Sequence, residues 1–121
     1  MHPHIKKPTI VKSEGNKPKL IREFIGRVNT GTEALSIARM SSPAGWEEPA
    51  QTPEFDEYTL VLKGIVQVKS LGQTFKIKEN QVYLAKKGIT VQYSTPFAEG
   101  AEYLAVCLPA FSADTVHREG S

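Results

Sequence analysis

The feature that most restricts this chain is a succession of short apolar runs between residues 19 and 109: LIREFIGRV, ALSIARM, EYTLVLKG, IVQVKSL, QTFKIK, QVYLAK, ITVQYST and AEYLAVCLP. Each is rich in β-branched or aromatic residues, and turn residues divide them: Gly64 after VLK, then Leu71-Gly72, Glu79-Asn80 and Lys87-Gly88. Short strands at close spacing are the pattern of an all-β sandwich or barrel. Helical signals are weak. The segment NTGTEALSIARM opens with a plausible N-cap but its second half reads as strand, and SADTVHRE is expected to form a turn of helix after Pro109 with Ser112 as its cap.

A length of 121 residues fits one domain, and 40% apolar with 23% charged residues is the composition of a globular chain with a core. Residues 1–18 hold three prolines and several lysines, which a central strand does not tolerate, so they are read as an extended arm. Within that arm PTIVK can pair along a sheet edge, of its own chain or of a second subunit. The barrel is placed at 19–111 and a short tail at 112–121. The formal charge of +2 comes largely from arm lysines, without a basic stripe, which argues against a nucleic-acid partner. No apolar run is long enough to span a membrane, and MHPHIKKPTIVK lacks the apolar core of a signal peptide, so no membrane partner and a cytoplasmic location are expected. The single cysteine, Cys107, lies in an apolar run and is read as a packed, inert thiol.

The stretch EFDEYTLVLKG resembles the first motif of the cupin superfamily, small barrels of the double-stranded β-helix or jelly-roll type. Glu57, then YTLVLK and Gly64, is similar to the second half of that motif, and Gly45 to its opening glycine. NQVYLAKKGITVQYST is similar to the second motif, with Gly88 as its second glycine. Within the superfamily, FDEYTLVLKG and LAKKGITVQYSTP look like the branch that includes the cupin domain of ethanolamine-utilisation proteins. A looser resemblance, through PAF at 109–111, runs to small metal-free cupin dehydratases of nucleoside-antibiotic pathways, but Trp46 stands where their catalytic histidine would align. The motif histidines are missing: their positions fall on Ala50, Gln51, Thr52 and Pro53 in the first motif and on Val91 in the second, where Lys86 replaces the usual proline. Of the three histidines, His2, His4 and His117 all lie in terminal segments. A tightly held transition metal wants three or four imidazole, carboxylate or thiolate ligands, so no cofactor is expected; a weak divalent metal at Gln51, Glu54 and Glu57 stays open.

Strand alternation sorts the remaining candidates, because residues two apart share a face. If Glu57 points inward, so do Thr59 and Val61, and on the second motif Val91 and Tyr93. A carboxyl in a mostly apolar interior has a raised pKa and can serve as general acid or base near neutral pH. Glu57 and Tyr93 are the expected catalytic pair, with Gln51 as an orienting amide. Arg39, if it faces inward, would hold an anionic substrate group or pair with Glu57. Glu54 would turn inward only if a bulge near Pro53 breaks the alternation, and Trp46 and Phe55 are candidates for an aromatic pocket mouth. The alternative is that Glu57 and Arg39 form a structural ion pair and that Tyr93 is a core aromatic with its hydroxyl satisfied, the usual state of a buried tyrosine.

The function these residues point to is a small-molecule-binding cupin, a homodimer, that performs metal-independent acid–base chemistry (isomerase, epimerase or dehydratase type) on a small polar molecule, sugar-like or anionic. The alternatives are a non-catalytic ligand-binding or sensor cupin, and a metal-dependent cupin lyase or dioxygenase with atypical ligands.

Overall fold

The computed structural model describes residues 4–120. Among them there is no helix, and ten strands carry the chain: β1 (Thr9–Val11), β2 (Leu20–Ile25), β3 (Ser36–Ser42), β4 (Trp46–Glu47), β5 (Asp56–Gly64), β6 (Val66–Ser70), β7 (Gln73–Ile77), β8 (Val82–Ala85), β9 (Gln92–Thr95) and β10 (Ala101–Leu108). They form a six-stranded sheet in the order β1-β2-β3-β10-β5-β8 and a four-stranded sheet in the order β4-β9-β6-β7, antiparallel throughout. The two sheets stay separate, an open jelly-roll sandwich.

Each apolar run of the sequence became a strand because its alternation lets one face be buried. In β5, Glu57, Thr59 and Val61 are buried while Tyr58 is exposed. In β10 every second residue, Ala101, Tyr103, Ala105 and Cys107, is buried. Two strands were not visible as runs. The first is β1, the TIV of PTIVK, which pairs with β2 of its own chain (Ile10 opposite Arg22). The second is β4, only two residues long, opposite Thr95 and Ser94 of β9.

Turns behave as their residues require. Leu71 (φ 53°) and Gly72 (φ 75°) link the paired Ser70 and Gln73, a two-residue turn with both central residues at positive φ, the primed type that matches strand twist. Gly64, the motif glycine, has φ 74°, and a Cβ there would sit 2.1 Å from the Gly100 carbonyl oxygen, so only glycine fits this crossing of β5 and β10. The expected helical turn at SADTVHRE is a tight turn instead: the Ser112 hydroxyl accepts from the Asp114 amide, but the chain then runs on beside residues 50–54. Ordered pairing with that segment, rather than helix, satisfies its backbone groups.

The core divides in two. Trp46, Val61, Val66, Val68, Val91 and Tyr93 anchor the larger cluster between the sheets. Phe55, Cys107 and Val116, with Phe111 against them, form a smaller cluster under the tail, where the Phe55 and Phe111 rings meet edge-on at 5.7 Å. Between the clusters lies a cavity.

Candidate functional site

The cavity has a volume of about 760 Å³ and opens between the N-terminal arm and the C-terminal tail. Its inner wall is the concave face of the six-stranded sheet, through Ser36, Ala38, Ala105, Cys107 and Glu57. Opposite stand Gln51, Tyr93 and Glu48. The arm contributes Val11 and Glu14, and the tail Val116, His117 and Arg118.

Glu57 sits opposite Cys107 on one side and Ala85 on the other, so neighbouring strands hold its side chain toward the cavity. Only 8% of its surface is exposed. Its pKa is pushed up to about 7, first by burial and then by the charge of Glu48, against the opposing pull of Lys19 and Arg118. No hydrogen bond contributes to that value, and no side chain among the described residues donates to the carboxyl. Glu57 is therefore a buried acid whose proton is exchangeable near neutral pH.

Tyr93, on the same face of the second motif as Val91, lines the cavity with its hydroxyl buried and without a partner. Burial, followed by the charges of Glu57 and Glu48, drives its pKa far up, so it is a neutral phenol; Thr59 lowers the value but its own hydroxyl also makes no hydrogen bond of good geometry. Gln51 is fixed by paired backbone hydrogen bonds to Val91, 2.8 Å each way, and its side-chain oxygen is buried and unsatisfied. Cys107 faces the cavity too, but burial and the charge of Glu57 raise its thiol well above the ordinary range and leave it protonated.

Four of the sequence expectations do not hold in this geometry, the first being Phe55, which is buried in the smaller core cluster and does not line the cavity. Arg39 faces out: the inner face of β3 is Ser36, Ala38 and Met40, and the Arg39 guanidinium lies 3.3 Å from Glu102 on the convex side. It neither pairs with Glu57 nor lines the cavity. Trp46 is fully buried in the main core and has no free face; its indole donates to the Glu14 carbonyl and the Lys19 ammonium covers the ring at 4.0 Å. Glu54 stays outside because the backbone near Pro53 is held by the tail, the Glu54 amide donating to Thr115, and no bulge turns it inward. Its carboxylate contacts His117 Nε2 at the rim.

Sequence reasoning missed Glu48, Lys19 and Arg118. Glu48 follows the two-residue β4 and is buried, with its pKa raised mainly by burial. Arg118 Nε lies 3.9 Å from Glu48 Oε2. Lys19 immediately precedes β2 and donates to Tyr103 Oη at 3.3 Å.

The metal centre that the cupin motif would imply does not fit these residues. Among those described, no group of three or more histidine, cysteine or acidic side chains is placed to hold an ion. Val91, where the second-motif histidine would fall, is an apolar core residue. Glu57 and Gln51 line the cavity while Glu54 turns to His117, so the atypical set is not gathered. His2 lies outside the described residues.

No known protein-family profile matches the sequence. The chain is 41% identical over 101 residues to the Myxococcus xanthus protein named Endoribonuclease YbeY, a match that covers 84% of this chain but only 34% of that protein. Among solved structures, the polyketide cyclase RemF from Streptomyces resistomycificus aligns over all of this chain and 86% of its own, with a TM-score of 0.77 at 15% identity. A putative ethanolamine utilisation protein Q from Salmonella typhimurium aligns over 87% of this chain and 98% of its own, with a TM-score of 0.67 at 18% identity. The fold is of the cupin type, as in the Schizosaccharomyces pombe Cnp3 cupin domain, which aligns over 80% of this chain and 69% of its own with a TM-score of 0.67 at 14% identity. At these identities the likeness extends to the fold alone. No helix among the described residues is long and apolar enough to cross a membrane.

Proposed function

We propose that this protein binds a small polar molecule in the cavity and performs metal-independent acid–base chemistry on it, with Glu57 as the proton carrier. The observation that carries this reading is the Glu57 carboxyl itself: buried, facing open volume, without a hydrogen-bond donor, and with a pKa of about 7. A carboxyl tuned to the working pH takes a proton from one substrate atom and returns it to another, the requirement of isomerisation, epimerisation and dehydration. The neutral Tyr93 phenol is a donor to oxygen charge that develops as the proton leaves. Gln51 orients the substrate through a side-chain oxygen that has no other partner.

The test is solvent exchange. Incubated in heavy water with a panel of small sugars, hydroxy acids and amines, the wild-type protein exchanges a carbon-bound hydrogen of its substrate for deuterium, read by proton NMR. Glu57→Gln, which keeps size and removes the titrating group, abolishes the exchange. Exchange at an unchanged rate in the variant removes Glu57 as the carrier.

A second reading has its own support. The Myxococcus protein carries an endoribonuclease name, and the chain spans about a third of its length (34%). That division fits an accessory module that binds a ligand beside a separate catalytic unit. Ligand binding without exchange of any panel compound favours this reading over an enzyme.

A further inference from the structure

We propose that the ligand this cavity is built for is a small organic monocation with N–H donors, a primary ammonium group on an apolar body. The proposal rests on the reading of the cavity as a ligand site and is independent of whether the bound molecule is turned over.

Both inner bases are spoken for: Lys19 lies against the Trp46 ring and donates to Tyr103, and Arg118 lies beside Glu48 and over the Phe111 ring at 6.0 Å. The wall also carries side-chain oxygens that can accept. Gln51 Oε1 and Tyr93 Oη are buried without partners, and Glu57 receives no hydrogen bond. Unsatisfied buried acceptors are costly, and a ligand that supplies donors recovers that cost. An ammonium group has three N–H donors, and Glu57, Gln51 and Tyr93 each hold an oxygen on the cavity wall able to accept one.

Charge points the same way. Facing Glu57 are Glu48 from the segment after β4, Tyr93 from β9, Cys107 from β10, Lys19 just before β2 and Arg118 from the tail. The phenol and thiol are neutral, so two carboxyls meet two bases inside. At the exposed mouth Glu14 and Glu119 outnumber Lys12, and His117 is engaged by Glu54. Glu23, also on the wall, is a carboxylate held by the Val28 and Asn29 amides at 2.9 and 2.8 Å. The lining carries a surplus of carboxyls, and Arg39, which would have served an anionic group, lies outside it. In the empty protein a proton on Glu57 offsets part of that surplus; a bound ammonium takes the place of that proton.

This exchange is measurable. Below neutral pH a cation that binds against Glu57 expels its proton, so affinity rises with pH up to about 7 and levels off above it. The experiment is isothermal titration of the full chain with benzylamine, benzyl alcohol and benzoate, repeated in buffers of different ionisation enthalpy. Benzylamine is expected to bind at least about tenfold tighter than the other two, a difference of ~1.4 kcal/mol, and to release about one proton at pH 6 and few at pH 8.5. In Glu57→Gln the preference and the proton release disappear while benzyl alcohol binding remains, which shows the cavity intact. Benzoate or benzyl alcohol binding as tightly as the amine, or amine binding without proton release, overturns the proposal and leaves the ligand site standing. Binding of none of the three overturns the ligand site as well.

Discussion

Arg118 Nε lies 3.9 Å from Glu48 Oε2, a contact that joins the C-terminal tail to the inner wall of the cavity. Both groups act on Glu57 from a distance, Glu48 raising its pKa and Arg118 lowering it. Replacing each therefore gives opposite signs. Glu48→Gln moves the Glu57 titration below its present midpoint of about 7, and Arg118→Gln moves it above. Carbon-detected NMR of labelled glutamate reads both shifts, and movement in one shared direction contradicts the arrangement.

Stability follows from the same linkage. The folded-state pKa of Glu57, about 7, lies above the ordinary value of 4.5, so the stability it contributes is fully present below 4.5 and is lost as pH rises through about 7. The shift corresponds to about 3 kcal/mol, an order-of-magnitude figure. Glu57→Gln removes this loss. Thermal melts at pH 5 and pH 8 are expected to show the variant gaining on wild type as pH rises; a constant difference contradicts the raised pKa.

Trp46 is a structural residue in this account. Trp46→Phe loses the indole bond to Glu14 and the ammonium over the ring, for a cost of about 1–2 kcal/mol in denaturant unfolding. Benzyl alcohol affinity stays within about twofold, since the ring does not line the cavity. A large loss of binding with unchanged stability would restore Trp46 as a ligand contact.

Leu71 holds φ 53° at the tip of the β6–β7 hairpin and is 80% exposed. Leucine is strained there and asparagine is favoured before glycine in this turn. Leu71→Asn is expected to stabilise the protein by about 0.5–1 kcal/mol, measured by the denaturation midpoint, with no change at the site.

What the sequence revealed depended on strand length. Nine residues of β5 carry an alternation that places Glu57, Thr59 and Val61 on one face, and β10 is as clear. Alternation in β3 separates Arg39 from Ala38 but cannot say which face is inner, because Ile37 and Met40 make both faces partly apolar. Glu48 and Arg118 were hidden for a different reason. A two-residue strand and a tail without regular structure have no period to read, and their meeting depends on backbone pairing between residues 50–54 and 115–119. Lys19 looked like one more lysine of the basic N-terminal stretch until the fold placed it over Trp46.

The most direct test of the account is the titration of Glu57 in the unliganded wild-type protein, followed by carbon-detected NMR with assignment from Glu57→Gln. A midpoint near pH 7 is the predicted result. A midpoint near the ordinary glutamate value of 4.5 would contradict it, because a carboxyl ionised throughout the neutral range could neither carry a proton at that pH nor exchange one for a bound cation.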